Sequence, residues 1–101
     1  MNNTTAVPAL AALAQENRLA TFRLLVQAGP GGLVVAQIAE AQGIPLTTLS
    51  FHLRTLAQAG LVTSKQEGRF VRYAADFGAM NALIGYLTEN CCQGQPCGPN
   101  C

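Results

Sequence analysis

A chain of 101 residues, half of them hydrophobic and 11% charged, forms one small domain and not a disordered segment. Its net charge of +1 excludes recognition of nucleic acid by bulk charge and leaves only local clusters to argue from. No apolar run reaches the ~18 residues of a membrane helix, and no basic residue precedes the apolar stretch within residues 1–15; we therefore expect no membrane association and a cytoplasmic protein with reduced thiols.

Two helices open the chain. Leu10 and Leu13 give an apolar spacing of three, and Leu19, Phe22, Leu25 and Val26 repeat it on a second segment. Residues 15–17 separate the two, with Asn17 as the expected N-cap. Residues 28–32, Ala-Gly-Pro-Gly-Gly, end the second helix, and Leu33 and Val34 follow as a short extended piece. Residues 36–42 predict a brief helix with Ile38 and Ala39 inward, stopped by Gly43. Pro45 suits the first turn of the next helix, which runs to about Gln58. Its buried stripe is Leu49, Leu53 and Leu56, while Thr47, Thr48, Ser50, Phe51 and Arg54 lie mostly opposite. Two helices joined by a short glycine-containing turn, the second polar and partly basic, make a helix-turn-helix pattern.

Residues 61–63 and 69–73 are β-prone, and residues 66–68 supply a turn between them. A hairpin directly after a helix-turn-helix is a wing, with Lys65 and Arg69 flanking its tip. Arg54, Lys65, Arg69 and Arg72 are four of the six basic residues, opposed in that stretch only by Glu67. The excess is either a nucleic-acid surface or a solvated face. The last helix, from about Asp76 to Glu89, carries Phe77, Met80, Leu83, Ile84 and Leu87 on one side. That face is wide for a terminal helix, so we expect part of it, with Leu10 and Leu13 of the first helix, to meet a second subunit. The expected fold is mainly α with a small β-hairpin: a dimeric winged helix-turn-helix over residues 1–90. Behind it, residues 91–101 hold all four cysteines, Cys91, Cys92, Cys97 and Cys101.

Several segments carry a resemblance. Ala11-Ala12-Leu13-Ala14-Gln15-Glu16-Asn17-Arg18-Leu19, Ser50-Phe51-His52-Leu53-Arg54-Thr55-Leu56, Ala59-Gly60-Leu61-Val62 and Glu67-Gly68-Arg69 resemble the ArsR/SmtB family of dimeric winged-helix repressors, which leave DNA on binding a metal or metalloid. The resemblance spans about residues 6–90. It implies that the helix of residues 45–58 enters the major groove. Thr47, Thr48 and Ser50 would donate to base edges or phosphates, Phe51 would touch a thymine methyl, and Arg54 would take a phosphate or guanine. Lys65, Arg69 and Arg72 would hold backbone or minor groove. His52 is either a DNA contact or a structural hydrogen-bonding residue. A twofold dimer would read an inverted repeat in operator DNA, with half-sites ~34 Å apart.

The departures are as informative. The arsenic repressors' Cys-Val-Cys motif is replaced by Val34-Val35-Ala36, and the Asp and His pairs of zinc sensors reduce here to Asp76 and Glu89, with His52 the sole histidine. What remains is the tail, and Asn90-Cys91-Cys92 with Cys97 beyond resembles arsenic repressors whose site follows the final helix.

Adjacent Cα atoms lie about 3.8 Å apart, short of the usual ~4.4–6.8 Å of a disulfide, so a Cys91–Cys92 bridge is disfavoured while bridges to Cys97 or Cys101 stay open. Adjacent ligands also suit structural zinc poorly. Thiolates without imidazole or carboxylate match soft, thiophilic ions. Trivalent arsenic takes three sulfurs in a pyramid, and we expect Cys91, Cys92 and Cys97 to supply them, with Cys101 as a substitute. As(III) is the expected inducer ligand, Sb(III) its analogue, and no organic cofactor is expected. Cadmium, lead or thiol oxidation as the signal, or a thiol buffer without DNA binding, remain alternatives. Enzyme function is not expected, since there is no Cys-x-x-Cys and the only histidine sits on the DNA helix.

Overall fold

The Asn2 side chain accepts from the Thr5 N–H and the Thr5 hydroxyl accepts from the Asn2 N–H, a reciprocal cap that opens α1, Asn3–Leu13. The computed structural model describes residues 1–94; Cys97 and Cys101 lie outside them. The order continues with α2 (Glu16–Ala28), β1 (Leu33–Val34), α3 (Val35–Gln42), α4 (Leu46–Gln58), β2 (Val62–Glu67), β3 (Phe70–Ala75), α5 (Phe77–Leu87) and a left-handed turn, Cys91–Gly94. The winged helix-turn-helix expected from the sequence is present. No helix among the described residues is long and apolar enough to cross a membrane.

Several boundaries differ from the sequence expectation. Gln15, not Asn17, caps α2, its side-chain oxygen accepting from the Arg18 N–H at 2.8 Å. Asn17 instead lies inside the helix, where its carbonyl accepts from the Thr21 hydroxyl. Pro45 is the extended N-cap of α4 and not its first turn. The hairpin turns one residue later than expected, at Gly68 and Arg69, where only Gly68 has positive φ.

The sheet has three strands in the order β1-β3-β2, all antiparallel neighbours. Pairing of Leu33 with Tyr73 and Val34 with Arg72 fixes the base of the wing to the chain ahead of α3. Gly32 makes that approach possible. It sits at φ +63, and a Cβ there would lie 2.0 Å from the Tyr73 carbonyl oxygen.

The core explains why α4 is held firmly. Leu49, Leu53 and Leu56 of α4 are fully buried with Leu25 of α2 and Ile38 of α3, each such side chain contributing about 1.5–3 kcal/mol on burial. Ala6, Ala9 and Ala12 are the buried face of α1, and their small size lets that helix pack close against α2 and α4. At the far end of the chain Asp76 caps α5 through the Ala79 N–H, and the Tyr86 hydroxyl donates to the Asn3 side-chain oxygen, tying α5 to the start of α1.

Candidate nucleic-acid interface and thiol tail

The buried leucines of α4 leave an opposite arc free. Thr47, Thr48, Ser50, Phe51 and Arg54 are all exposed on it, as the spacing predicted. Leu46 is exposed as well, at 55%, and was missed because it follows the proline taken as the helix start. The i, i+4 series Leu46, Ser50, Arg54 was the available signal.

His52 does not join that surface. It is buried at 7%, and its Nδ1 has no hydrogen-bond partner among the described residues. Burial, and then the positive charge of Arg18, lower its pKa below the ordinary 6.5. Arg18 belongs to α2 and uses its Nε to donate to the Ala12 carbonyl at 2.7 Å, closing the end of α1. His52 thus faces the junction of α1, α2 and α4, and of the two roles expected for it the structure places it with the core. It also touches Phe51, the ring centroids 6.1 Å apart at 67°, which helps to fix the exposed ring.

The wing carries Lys65 and Arg69 exposed near its tip, as expected. Phe70 is exposed there too, at 57%, a second feature absent from the sequence reading. Arg72 is held in a local network. Its Nε lies 3.1 Å from both carboxylate oxygens of Glu67, and its guanidinium also donates to the carbonyls of Gly31 and Gly32 at 3.3 and 3.5 Å. These bonds brace the wing against β1, and the Arg72 side chain stays about one-third exposed.

The terminal helices divide their apolar residues. Leu10, Ile84 and Leu87 are exposed, Leu13, Phe77 and Met80 are half-buried against the core, and Leu83 is buried at 6%. Leu83 therefore belongs to the subunit interior and not to an interface, because α5 turns it toward α2. Val7 is exposed on α1 and extends the outward face. An open apolar groove of about 390 Å³ runs between α2 and α5, lined by Leu19, Phe22, Val26, Leu61, Met80 and Ile84 among others.

Beyond α5 the chain reverses through left-handed Asn90, Cys92 and Gln93. The Cys91 N–H donates to the Thr88 carbonyl at 2.9 Å, so the backbone of Cys91 is fastened to the helix end. Cys91 is exposed, with its Sγ 3.7 Å from that of Cys92. Metal–thiolate bonds of about 2.3 Å reach one centre from two sulfurs at that separation. A soft ion requires both thiols reduced. Among the described residues no three His, Cys, Asp or Glu side chains converge; the third thiol expected, Cys97, lies outside them.

Comparison with known proteins agrees with this architecture. The model of a helix-turn-helix domain family matches residues 13–65. An uncharacterised HTH-type transcriptional regulator of Bacillus subtilis (strain 168), YceK, is 38% identical over 58 residues, an alignment covering 57% of this chain and 57% of that protein. A homodimeric winged helix-turn-helix DNA-binding domain, fragment 1–100 of Mb0332 from Mycobacterium bovis, described as a possible ArsR-family transcriptional regulator, is 32% identical. It has a TM-score of 0.68 and covers 86% of this chain and 81% of that one. A possible transcriptional regulator for arsenical resistance is 30% identical with a TM-score of 0.69, covering 78% of this chain and 79% of that one. By fold and by sequence, the chain belongs to the ArsR family of winged helix-turn-helix transcriptional regulators.

Proposed function

We propose that this protein binds operator DNA as a homodimer and is released from it by trivalent arsenic held at Cys91, Cys92 and Cys97, with Sb(III) acting in the same way. The observation that carries the reading is at Cys91, whose backbone N–H donates to the carbonyl of Thr88, the C-cap of α5, the helix whose Ile84 and Leu87 face outward. Similarity to a possible regulator for arsenical resistance supports the choice of ligand. The exposed arc of α4 docks in the major groove, and Lys65 and Arg69 neutralise phosphates. The dimer reads an inverted repeat.

Release needs a ligand that prefers one dimer arrangement over another. Three thiolates cancel the charge of As(III), so the closed site tolerates a position beside an apolar helix. Closing the tail strains or relieves the last turn of α5, and the Tyr86–Asn3 bond passes that to α1. A tenfold loss of DNA affinity requires only about 1.4 kcal/mol of such coupling.

A second reading keeps the DNA-binding body and makes thiol oxidation the signal; the exposed Cys91 thiol, 3.7 Å from that of Cys92, favours it because oxidation follows thiol exposure. Fluorescence anisotropy on the protein's own promoter, in reducing buffer, separates the two. Arsenite should dissociate the reduced protein, and Cys91→Ser, Cys92→Ser and Cys97→Ser should each blunt the response. Dissociation by a thiol oxidant with none by arsenite selects the redox reading. Absence of DNA binding at every salt concentration leaves only a thiol buffer.

A further inference from the structure

We infer that Leu46 and Phe51 form an apolar pair that reads thymine methyl groups in each operator half-site. The inference rests on the DNA-binding reading above and adds the base preference. Two large hydrophobic side chains, 55% and 60% exposed, stand on the one helix face where hydroxyls and a single guanidinium otherwise sit. They are five residues apart, about 7.5 Å along the helix axis and about 140° around it. Ser50, Arg54 and Thr47 fall between them on the arc, so the polar groups are flanked by apolar ones.

The chemistry of duplex DNA narrows what such a pair contacts. Phosphates are anionic and the sugars are the same at every step, so neither distinguishes bases; of the four bases only thymine presents a methyl group at its major-groove edge. Leu46 and Phe51 lie in the N-terminal half of α4, the part that a helix-turn-helix brings to base edges. Their axial offset matches about two base-pair steps. Thr47 and Ser50, as donors or acceptors, tolerate several bases. The face therefore discriminates chiefly by methyl burial, and the half-site carries thymine at the two steps facing Leu46 and Phe51. The ring of Phe51 is steadied by its edge contact with buried His52, which lowers the ordering cost of that contact.

The test needs no assumed operator. Duplexes are selected from a random library by the reduced, full-length protein, and each thymine of the selected half-site is replaced by deoxyuridine, which removes only the methyl. Wild type should lose about fourfold in affinity per half-site at one or two positions. Phe51→Ala and Leu46→Ala should each abolish the loss at one position while keeping the wild-type circular dichroism. A flat uridine scan in wild type, or an unchanged scan in both variants, overturns the inference while leaving DNA binding intact. Failure to select any duplex overturns the DNA-binding reading together with it.

Discussion

The Nε of Arg72 lies 3.1 Å from both carboxylate oxygens of Glu67, across the strands of the wing. The pair is about one-third exposed on each side, so its own worth is small, ~0–1 kcal/mol. Its consequence is for assignment. Lys65→Ala and Arg69→Ala should each reduce the salt slope of DNA binding by roughly one unit. Arg72→Ala should leave the slope unchanged and instead lower thermal stability, more than Glu67→Gln does, because it also abandons the carbonyls of Gly31 and Gly32. Measuring affinity at several salt concentrations for the four variants decides it; a slope change for Arg72→Ala would place that residue on the DNA surface.

His52 supplies a pH dependence whose sign is fixed by its surroundings. Burial first and Arg18 second lower its folded pKa below 6.5. Above about pH 6.5 the ring is neutral in both folded and unfolded chains and nothing is lost. As the pH falls below that value the unfolded chain binds the proton more readily, so stability declines until the folded pKa is passed. Urea midpoints at pH 7.5 and 5.5 should therefore differ in wild type. In His52→Leu the part of that difference due to this ring should vanish, with little cost at pH 7.5 because the Nδ1 it removes had no partner among the described residues. An undiminished pH difference in the variant would show that His52 is not its source.

Gly31 and Gly32 are neighbours with opposite expectations. Gly32 has positive φ, and its Cβ would collide with the Tyr73 backbone, whereas a Cβ at Gly31 meets nothing within 4 Å. Gly32→Ala should cost about 2–4 kcal/mol by strain and by prising β1 from β3. Gly31→Ala should be neutral or stabilise by up to about 1 kcal/mol. Chemical denaturation of both variants is the check, and equal effects would contradict the close approach.

The outward and inward residues of α5 make separate predictions. Ile84→Glu or Leu87→Glu, on the exposed side, should shift the protein toward monomer in sedimentation while leaving subunit stability nearly intact. Leu83→Ala should instead cost roughly 2–5 kcal/mol of stability, as a buried truncation does. Dimers that survive both glutamate variants would place the interface elsewhere.

How far the sequence revealed this depended on the length of each pattern. The long amphipathic stripe of α4 exposed Thr47 to Arg54 correctly, because three buried leucines orient thirteen residues. His52 was equally legible in principle: Leu49, His52, Leu53 and Leu56 follow the i, i+3, i+4, i+7 series of one buried face, and only its polarity drew it toward DNA. On α5 a nearly continuous apolar sequence blurred the division between Leu83 and Ile84. The partner of β1 was invisible, since two residues carry no periodicity. The role of Arg72 depended on hairpin register, and placing the turn one residue too early hid its alignment with Glu67 and the glycine carbonyls. The tail offered chemistry without geometry: residue type points to soft ligands, but spacing alone does not decide which sulfurs meet.

The bond from the Tyr86 hydroxyl to Asn3 joins residues 83 positions apart. Closing so long a loop costs little more chain entropy than closing a loop half its length, because the cost rises only with the logarithm of length. Its effect falls on rate: joining the first described helix to the last raises the mean sequence separation of contacts, which slows the folding of a small domain. A chain cut ahead of Tyr86 would leave the Asn3 end of α1 without this tie.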